Sequence, residues 1–218
     1  MEKNASQNMS LVFSYLELRK AIGILGMALP LVVSLGAWLF FRAGIQRSIS
    51  AYYHTGMRDV FVGTLFAIGF FLLSYKGYEC SDDITGDLGC LFAVGVALFP
   101  TTPDGEVTGA ARLVGTVHLV FAGLFFLTLI YSSLFLFTKT DPTKPPTNRK
   151  LQRNMVYRAC GYTMAACIVL IMLYFFLLEE AVPQLAGWRP VYWLEALAIL
   201  TFGISWFTKG EAILKDES

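Results

Sequence analysis

Along the 218 residues, apolar positions gather into six long runs, and nearly all the charged residues fall between them. The runs cover about 21–41, 60–75, 84–99, 113–137, 155–178 and 191–207. They neither alternate like a strand nor show one apolar stripe. They are apolar all round, the pattern of helices surrounded by hydrocarbon. A bilayer crossing takes about 20 such residues, with a range near 17–25. The first, fourth and fifth runs meet that length easily, and the second and sixth are slightly short. The third is the weakest: its uninterrupted part, Leu88–Phe99, is brief and Asp87 stands at its edge, so a re-entrant segment is the competing reading.

Charge decides the third run. If all six cross, the N-terminus, the loops after the second and fourth helices and the C-terminus share one side. That side holds 12 Lys and Arg, among them Arg19, Lys20, Lys139, Lys150 and Arg153. The other side holds 5, namely Arg42, Arg47, Arg58, Arg112 and Arg189. The richer side is expected to be cytoplasmic, and a third run that failed to cross would put the basic linker Lys139–Arg153 outside. The expected fold is therefore an all-α integral membrane protein, a six-transmembrane-helix bundle with both termini cytoplasmic. A cytoplasmic N-terminal segment covers 1–20, the helical domain 21–207 and a cytoplasmic tail 208–218. The first run is longer than the apolar region of a cleaved signal peptide and no A-x-A-like site follows it, so it is expected to stay as an anchor. The expected location is the bacterial inner (plasma) membrane.

Composition agrees. Hydrophobic residues make up 56% of the chain and charged ones 15%, with a mean hydropathy of +0.57, whereas soluble domains carry about 25% charged residues. A soluble enzyme, a disordered chain and a disulfide-stapled module are excluded. With 17 basic and 16 acidic residues, bulk charge gives no grip on nucleic acid, and the expected partner is membrane lipid. The cysteines at 80, 90, 160 and 167 form no C-x-x-C pair, and Cys160 and Cys167 read as small core residues. Trp38, Tyr52, Tyr53, Trp188, Tyr192 and Trp193 fall at the outer interface and Trp206 at the inner one, as aromatic belts do. Small residues at spacing four, Gly89, Ala93 and Ala97 in the third helix and Gly63 and Ala67 in the second, mark faces for close helix approach.

Ionisable groups at membrane depth are costly and count as functional candidates. On this topology they converge on the outer-leaflet end: His54 just before helix two, Asp59 at its start, His118 about 9 Å into helix four, and Glu195 one turn into helix six. Glu179, Glu180 and Asp104 lie on the same side. The catalytic candidates are His118, His54 and Asp59, with His118 as a general base held by Asp59 or Glu195. The same three side chains are the candidate ligands of a zinc ion. No H-E-x-x-H or G-x-S-x-G motif accompanies them. The structural alternative makes His118 a buried histidine bonded to a neighbouring helix, and Arg58–Asp59 an interfacial pair. Ser50, His54 and Arg58, if helical, share a face that would grip a lipid phosphate, with Glu195 completing the polar site. His118, Asp59 and His54 are expected in one pocket open to the outer leaflet, with His118 turned toward helix two along a groove at Gly115 and Ala122. On the inner side, the linker Lys139–Arg153 would attract anionic lipid at about 1 kcal/mol per basic residue. The acidic stretch Glu79–Asp83 reads as a solvated connection.

Three elements carry a family resemblance: the Ser48-x-Ser50…His54-Thr55…Arg58-Asp59 approach to helix two, the Phe99-Pro100 exit of helix three, and His118 early in helix four. Together they resemble the bacterial membrane family catalogued as domain of unknown function 998, and more distantly the DRAM- and FRAG-type six-helix proteins. The resemblance covers roughly residues 20–207. It implies a six-helix bundle and no established activity. A fainter similarity is to the alkaline ceramidase and progestin-receptor superfamily of zinc hydrolases, onto which Ser50, Asp59, His54 and His118 map loosely. The paired H-x-x-x-H of that superfamily's last helix is absent here. The leading functional expectation is a six-helix membrane protein that engages lipid or a partner at its outer face. The others are a lipid hydrolase or transferase using His118, His54 and Asp59, and a small transporter.

Overall fold

The structure, a computed structural model, describes residues 2–77, 79–140, 143 and 145–215, with side chains from Tyr15 onward. The side chain of Lys3, residues 141, 142 and 144 of the basic linker, and residues 216–218 of the tail lie outside the described residues. The chain forms α1 (Glu2–Phe41), α2 (Arg58–Ser74), α3 (Cys80–Leu98), α4 (Gly109–Tyr131), α5 (Asn148–Leu173) and α6 (Pro190–Lys209). A π turn extends α4 over Ser132–Leu136 and another extends α5 over Tyr174–Leu178. No strand occurs among the described residues.

Four segments are long and apolar enough to cross a membrane: Tyr15–Phe41, Gly109–Leu136, Asn148–Leu178 and Pro190–Lys209. α2 has 17 residues, and α3 has 19 with Asp82, Asp83 and Asp87 in its first half. At 1.5 Å per residue these two reach about 26 and 28 Å, close to the roughly 30 Å of a hydrocarbon core.

Helix ends follow local chemistry rather than the limits of the apolar runs. α3 starts at Cys80, upstream of the expected run, because Glu79 and Asp82 cap it reciprocally; the Asp82 carboxylate accepts from the Glu79 backbone N–H at 3.2 Å. The acidic stretch is thus not a solvated connection. Asp82 is 3% exposed, and Lys139 at the end of α4 reaches Glu79 at 2.8 Å, the Ser81 hydroxyl at 3.1 Å and Asp82 at 3.7 Å. The Lys139 hydrogen bond and charge hold the Glu79 carboxyl below its usual 4.5, and the same bond holds the Lys139 ammonium above its usual 10.5. The Thr108 and Thr147 hydroxyls accept from the backbones of Ala111 and Lys150 and start α4 and α5. This cap carries α5 into polar residues well before its apolar run.

Each helix packs on its neighbours in the chain, and α1 packs on α6, so the six close into a ring of alternating direction. We call the end where α1 begins and α6 finishes the near end, and the other the far end. The tightest crossing joins α1 and α6. A Cβ on Gly23 or on Gly203 would lie 2.7 Å from the other's carbonyl oxygen. Gly89, Ala93 and Ala97 are buried as the sequence indicates, and a Cβ on Gly69 of α2 would lie 3.5 Å from the Ala93 methyl and the Cys90 carbonyl. Gly63 does not join this face, because it is exposed with open space beside it; Gly69 is the glycine of α2 buried against α3. Leu31, Leu35, Phe40, Leu113, Leu127 and Phe176 point outward, an apolar girdle that suits hydrocarbon and not water. Trp38, Trp188 and Trp193 are exposed, as interfacial residues should be, but Tyr52, Tyr192 and Trp206 are buried in the ring rather than in a belt. All four cysteines are free, and Cys90, Cys160 and Cys167 are buried.

Candidate functional site at the far end

Phe99 precedes Pro100, which disfavours helical backbone at Phe99 and supplies no N–H to continue α3. The chain accordingly turns extended at Phe99 (φ −98, ψ 111) and leaves a series of carbonyls with no intrahelical partner. Three side chains from elsewhere take them up. The His118 Nδ1–H donates to the Phe99 carbonyl at 2.6 Å, the His54 Nε2–H donates to the Thr101 carbonyl at 2.7 Å, and the Arg47 guanidinium donates to the Thr102 carbonyl. A carbonyl can only accept, so each imidazole carries its proton on the bonded nitrogen. Arg47 also pairs with Asp104 at 3.1 Å. The residue that lets the segment seat is Gly115, where any Cβ would strike Thr102.

Both histidines therefore act on one segment, but not as expected. His118 faces the exit of α3 rather than α2, and the small-residue groove at Gly115 receives the 99–104 segment instead of a helix. His118 is 1% exposed, so its ring is shut away from solvent. Asp59 is exposed in the first turn of α2, and neither the open depression beside Arg47 and Arg112 nor the small cavity beside Glu195 is lined by it, His54 or His118. Among the described residues no three His, Cys, Asp or Glu side chains form a group that could hold a metal. The expected His54–His118–Asp59 zinc set is thus not assembled.

The shared face of Ser50, His54 and Arg58 also fails, for a geometric reason. Ser50–His54 is a 3-10 turn, and at three residues per turn spacing four separates side chains by about 120°. Ser50 turns inward: its backbone N–H and that of Ile49 donate to Glu195 Oε2 at 3.3 and 2.7 Å. Glu195 thereby caps the 3-10 turn and lines, with Ser50, an otherwise apolar cavity of about 50 Å³ inside the ring. Arg58 turns outward, its guanidinium 4.6 Å from the Tyr53 ring centre and bonded to the Tyr53 hydroxyl at 2.9 Å. Ser50 and Glu195 come together; Arg58 and Asp59 stand apart from them.

Beyond the clamped segment lies an open depression of about 610 Å³ lined by Arg47, residues 102–107 and Arg112. It presents two guanidinium groups, Arg47 and Arg112, and two carboxylates, Asp104 and Glu106. Of these four, the sequence places Asp104 on the outer side among the ionisable candidates and does not single out Arg47, Glu106 or Arg112 as site residues. The signal for them was Pro100 and Pro103 in succession, which announces a segment whose carbonyls need outside donors. The chain matches no protein-family model, no curated protein and no solved structure.

Proposed function

We propose that the protein is a non-enzymatic integral membrane protein whose six helices all cross the bilayer, with both termini cytoplasmic, and which holds phospholipid headgroups in the far-end depression. Support for six crossings comes from depth. The start of α3 is bonded through Glu79 and Ser81 to Lys139 at the end of α4, and Tyr75 at the end of α2 meets Trp206 late in α6 edge-to-face at 5.2 Å. The α2–α3 hairpin therefore reaches as deep as two helices that meet the length for crossing. Support for the orientation is the 12-to-5 excess of basic residues on the near side.

The observation that carries the binding reading is the use made of the polar side chains. His118, His54 and Arg47 spend donors on backbone carbonyls, which makes them positioning groups for a rigid rim. The exposed charges on that rim are Arg112 and Glu106, beside the Arg47–Asp104 pair. Mixed charge of this kind matches a headgroup with a phosphate and an ammonium: guanidinium forks take phosphate oxygens, and carboxylates take the amine. A photo-crosslinking residue in place of Val107, which lines the depression, tests this in intact membranes. The expected product is a phospholipid adduct that Arg112→Gln diminishes. An adduct with a polypeptide, or no adduct, overturns the headgroup reading, and the polypeptide result turns the site toward a protein partner.

A further inference from the structure

The near end of the ring is closed by aromatic side chains. Trp206 lies 5.2 Å from Tyr75 and 5.0 Å from Phe137, and Phe137 lies 5.4 Å from Tyr157, in edge-to-face contacts between rings all 3% exposed or less. Above this plug sit basic groups from three helices. The Arg19 guanidinium is 5.1 Å from the Tyr75 ring centre and the Lys209 ammonium 5.1 Å from that of Phe137. Lys150 donates to the Phe137 carbonyl at 2.8 Å, and Arg153, 7% exposed, to that of Leu214 at 2.9 Å.

Arg19, Lys150 and Arg153 are the cations that act on Lys209, and Asp82 is the carboxylate that does; Asp82 is itself engaged by Lys139 and the Glu79 N–H. Among the described residues no carboxylate lies within ion-pair distance of Arg19 or Lys209. The Arg19 Nε–H is buried and has no hydrogen-bond partner. Cation–π contact offsets part of the cost, on the order of 1–2 kcal/mol for each cation, but it leaves the N–H donors unmet. An unpaired donor of a charged group is expensive at this depth.

We propose that Arg19 and Lys209 bind the phosphate of an anionic group at the near-end headgroup level, between α1 and α6. The two terminal amino groups of the Arg19 guanidinium form the fork that takes two phosphate oxygens, while Lys209 supplies a point charge from the last residue of α6. The aromatic plug stops the ligand from passing into the ring. Basic pockets between helices on the cytoplasmic face are suited to anionic headgroups, so the phosphate of an acidic phospholipid is the leading source and free phosphate the other. The far-end reading plays no part in this inference.

The test uses the full chain reconstituted in mixed phosphatidylcholine and phosphatidylglycerol vesicles, extracted into detergent and weighed intact by native mass spectrometry. The expected result is retention of phosphatidylglycerol over phosphatidylcholine, reduced about tenfold or more in Arg19→Gln and in Lys209→Gln, since one charge-assisted bond is worth that much. Arg19→Lys restores part of the retention, and Lys215→Gln, exposed on the same end, leaves it unchanged. Circular dichroism and elution volume identify any variant that fails to fold, and the two independent substitutions keep the test decisive. In a second arm, inorganic phosphate is added to lipid-stripped protein and the melting temperature read. A rise lost in both variants, with no preference for phosphatidylglycerol, keeps the anion site and assigns it to free phosphate. Absence of both effects, or effects indifferent to both substitutions, overturns the proposal.

Discussion

Replacing His118 by Ala separates a positioning role from an acid–base one. The imidazole is 1% exposed, and its Nδ1–H is bonded to the Phe99 carbonyl at 2.6 Å. Removing the donor strands that carbonyl at the end of α3, at a cost of about 1–3 kcal/mol. Emptying the space of a buried ring adds about 2–3 kcal/mol of lost contact and cavity, for a total of about 3–6 kcal/mol. His118→Phe keeps most of the volume and loses only the donor, so it should cost about 1–3 kcal/mol. His54 makes the equivalent bond to Thr101 from an exposed position, where water replaces the lost donor, and His54→Ala should cost less than about 1 kcal/mol. Reversible unfolding in mixed micelles titrated with dodecyl sulfate gives these differences. The reasoning fails if His118→Ala is within about 0.5 kcal/mol of the parent, or if His54→Ala costs as much as His118→Ala.

The helix crossings predict opposite responses to a single methyl group. Gly203→Ala puts a Cβ 2.7 Å from the Gly23 carbonyl and 2.8 Å from the Met27 amide, so α1 and α6 must part, at a cost of about 1–3 kcal/mol; Gly63→Ala, with open space, should be neutral or stabilising by up to about 1 kcal/mol. Equal effects in the same unfolding assay would show that the α1–α6 contact is looser than described. At the near end, Glu79 held below 4.5 and Lys139 held above 10.5 by their mutual hydrogen bond set the sign of a pH effect. The Glu79 contribution is present above pH 4.5 and lost as pH falls through the lowered value, while that of Lys139 is present below 10.5 and lost as pH rises through the raised one. Glu79→Gln should therefore lower stability at neutral pH and make no difference in acid; a difference that grows in acid would contradict the pairing.

Much of the architecture was legible in the chain because all-round apolar runs have one economical fate, a helix in hydrocarbon. At their far ends α1, α2, α3, α6 and α5 with its π turn lie within two residues of the expected runs, whereas α4 begins four residues early at Gly109. Their near ends were less legible, since caps rather than hydropathy set them: Glu79 with Asp82 starts α3, and Thr147 starts α5 in polar sequence. Of the expected site residues, His54, His118 and Glu195 hold backbone groups through their side chains, and Ser50 is held through its own backbone N–H. A histidine that holds a backbone carbonyl leaves no mark on the residue type at its target, so Phe99 and Thr101 were invisible as partners. The 3-10 rather than α form of Ser50–His54 was equally hidden, and together with the turn Thr55–Met57 it leaves Ser50 beside Glu195 and Arg58 outside against Tyr53. The near-end cluster was missed because Arg19, Lys150, Arg153 and Lys209 read as the ordinary basic excess of a cytoplasmic side. Only ring closure brings α1, α5 and α6 together above Trp206.

Both binding proposals depend on sidedness: the 99–107 segment must face outward and the Lys139–Arg153 linker inward. Cysteine labelling of intact cells measures this directly, in a chain whose Cys80, Cys90, Cys160 and Cys167 have been replaced. A cysteine at Gly105 should react with a membrane-impermeant maleimide, and one at Pro145 should react only after the membrane is opened. Labelling of Pro145→Cys from outside, with Gly105→Cys protected, would invert the bundle and contradict the central claim.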